Sequence, residues 1–313
     1  MRIAKFVLSA IAVLVIGVVI GVIGFVYWAP EKATSFAINA ERNRSSLLRK
    51  EIDLPGGLHY VYLEGGKGET LMLLHGLGAN KDSFTKVAHF LTPHYRVIVP
   101  DNIGSGESSH PLEADYAPPA QAERLRAFAH ALGIARLHLG GNSMGGQIAM
   151  TYAARYPAEV ASLWLLDPSG VWSAPKTELM KTIAKTGRNQ LMPKSVDEFA
   201  QVLKLVMYNP PFIPWPMMQV LAQERIRNNA LEEQISRLLE SDRVEKRITG
   251  LPVPTLIVWG ARDQVLSVES AEILHKLMPH SRVIAMPDTG HVPMMERPEQ
   301  CVEDYLKFRA ASL

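Results

Sequence analysis

Hydrophobic patterning changes character twice along this chain. Residues 6–28 hold no charge and are dominated by Val, Ile, Leu, Ala and Gly. A helix of that length covers roughly 35 Å, enough to cross a hydrocarbon core of about 30 Å with some tilt. Tyr27 and Trp28 close the run, where amphipathic rings favour the headgroup region. A cleaved signal peptide would have a shorter apolar segment followed at once by a small-x-small site. Ser35-Phe36-Ala37 has that form but lies well past the run, so residues 1–28 read as a retained transmembrane anchor. Apolar Ala33, Phe36, Ala37, Ala40, Leu47 and Leu48 then recur at helical spacing, which makes residues 29–50 a juxtamembrane helix.

Beyond the anchor the pattern is that of short buried strands alternating with helices. Residues 47–54 and 58–63 flank Pro55-Gly56-Gly57 as a hairpin. Further strands are expected at 70–74, 96–100, 136–140, 160–166, 255–259 and 282–286, with helices at 82–91, 120–132 and from Ser143 to Tyr156. Such alternation implies a mostly parallel, eight-stranded sheet with helices on both faces. Residues 167–254 break it with helical stretches near 176–191, 196–207, 216–228 and 231–247. A structureless loop of that length is implausible. The expected architecture is therefore an α/β core over 51–170 and 251–313, with a helical cap inserted at 171–250.

A net charge of +2 without a polybasic stripe excludes a nucleic-acid footprint. The single cysteine, Cys301, excludes an internal disulfide and reads as packing. Arg2 and Lys5 before the anchor nearly balance Lys32, Arg42 and Arg44 after it, so charge alone does not orient it. Gly17 and Gly21 form a G-x-x-x-G face, a candidate homodimer seam, although glycine is common in such helices.

The chemistry centres on Gly141-Asn142-Ser143-Met144-Gly145, a G-x-S-x-G turn between a predicted strand and a predicted helix. So tight a turn needs flanking glycines, and the helix amino end favours negative charge there. Serine is a weak nucleophile until a base takes its proton. Of ten histidines, His291 follows the last strand, where the chain order Ser…Asp…His requires the base. His75 and His138 read as structural. Three acids could orient the imidazole: Asp263 after the penultimate strand, Asp167 after the strand that follows the nucleophile helix, and Asp288, too close to His291 in sequence. Backbone N–H groups of Met144 and of Leu77, in His75-Gly76-Leu77-Gly78, are the expected oxyanion donors. No metal or cofactor is called for.

With these motifs, Asp101-Asn102-Ile103-Gly104-Ser105-Gly106-Glu107-Ser108 and Gly290-His291 in order, the chain resembles the α/β-hydrolase superfamily from about residue 50 onward. More narrowly, the anchor, WGARDQVL at 259–266 and GHVPMMERP at 290–298 are similar to membrane-anchored monoacylglycerol lipases and bacterial inner-membrane-anchored phospholipases A. The resemblance implies a triad of Ser143, Asp263 and His291, since the W-G-x-x-D turn is the commoner acid site in related sequences. It also implies glycerolipid ester substrates at the bilayer and a catalytic domain facing the periplasm from the inner membrane. Phe212, Ile213, Trp215, Met217 and Met218, within an aromatic, Pro- and Met-rich stretch, are expected to bind substrate as an acyl-chain tunnel. Ring-cleavage C–C hydrolases share the GNSMGG turn, but they carry Trp after the catalytic His, where this chain has Val292, and lack an anchor. Dehalogenases and epoxide hydrolases place Asp at the position of Ser143. A non-catalytic membrane receptor or scaffold on the same fold would have no need of an intact triad.

Overall fold

Short Leu-, Val- and Ile-rich segments form eight strands: β1 (Leu48–Leu54), β2 (Leu58–Gly65), β3 (Thr70–Leu74), β4 (Arg96–Pro100), β5 (Leu137–Asn142), β6 (Val160–Leu166), β7 (Thr255–Gly260) and β8 (Ser281–Met286). The computed structural model describes the backbone of residues 2–311 and the side chains of 11–311, so the side chains of Arg2 and Lys5 lie outside the described residues. The strands make one sheet in the order β1-β2-β4-β3-β5-β6-β7-β8, antiparallel at β1/β2 and β2/β4 and parallel elsewhere. Successive side chains of a strand point to opposite faces. In β6, Leu163 and Leu165 accordingly join the core layer of Phe128 and Ile148, while Trp164 and Leu166 join that of Phe84 and Tyr305. Both faces are buried, which is why the strands read as continuous apolar runs.

The helices are α1 (Arg2–Trp28), α2 (Pro30–Arg44), α3 (Thr85–Leu91), α4 (Pro118–Ala131), α5 (Met144–Arg155), α6 (Glu178–Thr186), α7 (Val196–Val206), α8 (Trp215–Ser241), α9 (Glu245–Ile248), α10 (Glu269–Leu277), α11 (Pro293–Glu296) and α12 (Pro298–Ala310). Within α1, Ile11–Trp28 has a mean hydropathy of 2.7 and none of it is buried against the rest of the chain. The juxtamembrane helix ends earlier than the expected residue 50. Ser46 turns to φ +53° and the Leu47 N–H closes the helix on Arg42 O at 2.9 Å, so β1 begins at Leu48. Arg42 grips Asp82 through two parallel bonds of 2.6 and 2.7 Å, fastening α2 to the core.

The interval between β6 and β7 carries α6 to α9. Its two expected last helices, 216–228 and 231–247, are mostly one: α8 runs unbroken to Ser241. No Gly or Pro interrupts residues 227–231, and the Asn229 side chain donates to Pro193 O instead of competing for its own backbone.

A buried ion pair fixes the loops above the sheet. Asp101, after β4, accepts from Lys81 N and Lys81 Nζ, both at 2.7 Å, and from Glu107 N at 2.8 Å. Both side chains are almost wholly buried, and Glu107 adds a second carboxylate to Lys81. Burial opposes ionisation of Glu107, but hydrogen bonds from Arg49 and Lys81 prevail and hold it at about 2. Its contribution to stability is thus present above the ordinary carboxylate range and lost as pH falls towards 2. Lys81→Met leaves Asp101 buried without its cation and is expected to cost about 3–5 kcal/mol in equilibrium denaturation. A loss below about 1 kcal/mol would count against this pair as a structural clamp.

Candidate active site

Ser143 stands between the end of β5 and the start of α5 at φ 53°, ψ −118°. A non-glycine residue held there stores about 1–3 kcal/mol of backbone strain. The glycines on either side are steric requirements. A Cβ on Gly141 would sit 2.6 Å from Gly146 N, and one on Gly145 would collide with the carbonyl of Leu74 at the end of β3. The turn therefore folds back on itself against β3, presenting the serine at the sheet's carboxyl edge.

Because β3 pairs directly with β5, the loop after β3 lies beside the serine. An added Cβ on Gly76 would be 3.2 Å from Ser143 Cβ. His75 is fully buried; its Nε2 accepts the Asn102 N–H at 3.0 Å, which leaves the ring proton on Nδ1 to donate to Gly76 O at 2.8 Å. Burial pushes this imidazole below its usual range. With the Gly76 carbonyl held on that side, the trans peptide turns the Leu77 N–H to the other. His138, inside β5, bonds Ser162 Oγ at 2.9 Å and Glu69 at 3.2 Å, and burial lowers it too. Both histidines are occupied by structure.

His291 follows β8, on a loop bound at several points. Its backbone N–H donates to Val206 O at 2.8 Å, and its carbonyl accepts from Asn142 Nδ2 at 2.9 Å. Glu296 accepts from Gly290 N at 2.8 Å and from Tyr208 N at 2.9 Å, tying this loop to the end of α7. The ring Nδ1 lies 2.8 Å from Asp263 Oδ2, while Asp263 Oδ1 takes the N–H groups of Val265 and Leu266 at 2.7 and 3.0 Å. In the neutral ring Nδ1 therefore carries the proton and Nε2 is the basic nitrogen. Asp167 accepts instead from Gly260 N at 2.9 Å, and Asp288 faces Arg262 on the surface. The structure thus puts Asp263, of the three candidate acids, on the imidazole.

Ser143, His291 and Leu77 share a cavity of about 400 Å³ between the core and the helical insertion, a size suited to a small-molecule site. Its wall is mostly apolar, with Leu179, Met180, Ile183, Met192 and Val206 prominent.

A model of the alpha/beta hydrolase fold family matches residues 69–298. The chain belongs to this family. Lipase 1 of Psychrobacter immobilis is 44% identical to it over 285 residues, covering 88% of this chain and 89% of the relative. Monoacylglycerol lipase ABHD6 of Rattus norvegicus is 30% identical over 258 residues, covering 79% and 77%. The crystal structure of a membrane phospholipase A, a bacterial virulence factor, superposes with a TM-score of 0.88 at 36% identity, covering 100% of this chain and 99% of that one. With lipases this similar over most of its length, the chain is a lipase-type ester hydrolase.

In this hydrolase the aromatic, Pro- and Met-rich stretch is not the cavity wall that sequence reading expects. Phe212 is 91% and Trp215 46% exposed, Ile213 and Met217 are half-buried, and Met218 packs on Phe199 and Ala222 in a separate small cluster. Residues 210–214, with prolines at 210, 211 and 214, lie outside the helices, Trp215, Met217 and Met218 fall in the first turn of α8, and none of the five expected residues lines the cavity that holds Ser143. The lining comes instead from the stripe of Leu179, Met180 and Ile183 on α6, spaced to share one helix face. That periodicity was present in the sequence; the density of rings was the weaker signal. Glu296, which secures the histidine loop, had no signal beyond membership of the 290–298 motif.

Proposed function

We propose that this hydrolase is a membrane-anchored serine esterase that cleaves acyl esters of glycerolipids through an acyl-enzyme on Ser143. The observation that carries the reading is the shared cavity. A strained serine at a helix amino terminus and an imidazole already hydrogen-bonded to a buried carboxylate open into one apolar chamber. In the proposed reaction Ser143 Oγ attacks the ester carbonyl as His291 Nε2 takes its proton. The imidazolium returns that proton to the departing alkoxide, and a water activated by the same nitrogen later releases the fatty acid. The N–H groups of Met144 and Leu77 are assigned to the developing oxyanion, and Asp263 holds the ring tautomer. The apolar wall from α6 suits an acyl chain, as do the lipase and phospholipase A activities named for the relatives. The direct test is covalent. A fluorophosphonate ester should label Ser143, found by peptide mass spectrometry, and fatty-acid release from membrane lipids should fall in proportion as labelling rises. Labelling elsewhere, or lipid cleavage that survives complete labelling, would refute the reading.

The anchor is assigned to α1, with one span in the inner membrane and the catalytic domain in the periplasm. The Gly17/Gly21 face is assigned to homodimer contact: a Cβ on either glycine meets nothing within 4 Å in the single chain. In alkaline-washed membranes the full chain should remain in the pellet. Gly17→Leu with Gly21→Leu should cut crosslinked dimer severalfold without releasing it, and an unchanged crosslink yield would remove the seam.

A further inference from the structure

The runner-up acid of the sequence reading is not far from the site. Asp167 directly follows β6, with φ +45° and a wholly buried side chain. One of its carboxyl oxygens lies within 4.8 Å of a carboxyl oxygen of Asp263 and of a ring nitrogen of His291. The two acids are supplied with donors very unequally. Asp263 receives three: His291 Nδ1, Val265 N and Leu266 N. Among the described residues Asp167 receives one, from Gly260 N to Oδ1, and its buried Oδ2 has no hydrogen-bond donor.

Two adjacent buried carboxylates do not both ionise, because each charge raises the cost of the other. The negative charge belongs where donors converge, on Asp263. The orphaned Oδ2 of Asp167 is then satisfied in one way, by carrying a proton of its own. We propose that Asp167 is a protonated carboxylic acid in the resting enzyme, donating its Oδ2–H to the Asp263 carboxylate as a positioning residue for the catalytic acid. The proposal rests on the reading of Asp263 and His291 as triad members. Burial, and next the charge of Asp263, push the Asp167 carboxyl well up, against the opposing Gly260 N–H. Glu296 pushes the same way, and the buried Cys301 thiol beside Asp167 is itself pushed up by burial and stays neutral. When His291 takes the serine proton, the imidazolium therefore faces one net negative charge rather than two.

Asp167→Asn in the full chain, in detergent micelles, is the decisive variant, because an amide offers the same acceptor to Gly260 and the same donor to Asp263. The expected kcat/KM is within about threefold of wild type, with the acid limb of its pH profile unmoved to about 0.3 pH units. Asp167→Ala, which removes the donor, should lose about ten- to hundredfold. Had Asp167 been ionised, the amide would delete a negative charge beside the imidazolium and carry the acid limb down by about one pH unit or more. That shift, or equal losses in the two variants, overturns the proposal. Infrared difference spectra of wild type minus Asp167→Asn give a readout independent of turnover: a protonated-carboxyl C=O band supports the proposal, and its absence overturns it even if Asp167→Ala fails to fold. Ser143→Ala separates the two levels. If it keeps activity the triad reading fails, whereas an inactive Ser143→Ala beside a shifted Asp167→Asn limb sinks the Asp167 assignment alone.

Discussion

Ser143→Ala is expected to lower kcat for a short-chain acyl ester by about a million-fold, some 8 kcal/mol of transition-state stabilisation. In the proposed reaction the substitution removes the atom that bonds to the carbonyl, and neighbouring His75 is locked between Asn102 and Gly76. A residual rate above that in water should survive, because the cavity and the backbone donors at Leu77 and Met144 are untouched. The fold should not suffer. The positive φ of Ser143 is a strained backbone conformation for a non-glycine residue, so Ser143→Gly, which relaxes it, should melt at or above the wild-type temperature. Steady-state kinetics with thermal denaturation check both halves. An ester turnover within tenfold of wild type would remove the serine from the mechanism.

Asp263→Asn should cost about 10⁴-fold in kcat, with the fold intact. The reason lies in which groups surround the carboxylate. Oδ1 accepts from Val265 N and Leu266 N, so an amide must turn its oxygen to them and present its NH₂ to His291. The imidazole Nδ1 then has to accept, its proton moves to Nε2, and the nitrogen that deprotonates Ser143 in the proposed reaction is already protonated. Partial recovery at alkaline pH, as hydroxide takes over deprotonation, would mark this cause. A loss under about tenfold, well below that of an ordinary triad acid, would shift the orienting role elsewhere. Set against the mild effect expected of Asp167→Asn, the pair of variants asks which of two neighbouring carboxyls holds the charge.

What the sequence makes legible is local in origin. A charge-free run at 6–28, apolar segments at strand spacing, and glycines two residues either side of Ser143 each express a constraint satisfied within a few residues of chain. They suffice for the apolar first helix, the α/β alternation and the turn at Ser143, and the structure has α1, the eight-stranded sheet and the positive φ where those patterns put them. Helix ends were less legible. The halt at Ser46 depends on a backbone turn, and the continuity of α8 depends on Asn229 finding Pro193 across the insertion.

The sequence alone therefore settles the fold class and the glycine-flanked turn at Ser143, since steric and hydrophobic periodicity are properties of neighbouring residues. Only the tertiary structure decides which acid meets His291, because Asp167 and Asp263 both follow parallel strands and differ in where the turns after β6 and β7 deliver them. It alone decides that α6, and not the proline-rich segment, walls the cavity. Packing across the insertion is a sum of contacts between residues far apart in the chain, so the helical stripe of α6, visible in the sequence, becomes a cavity wall only once the insertion is folded onto the core.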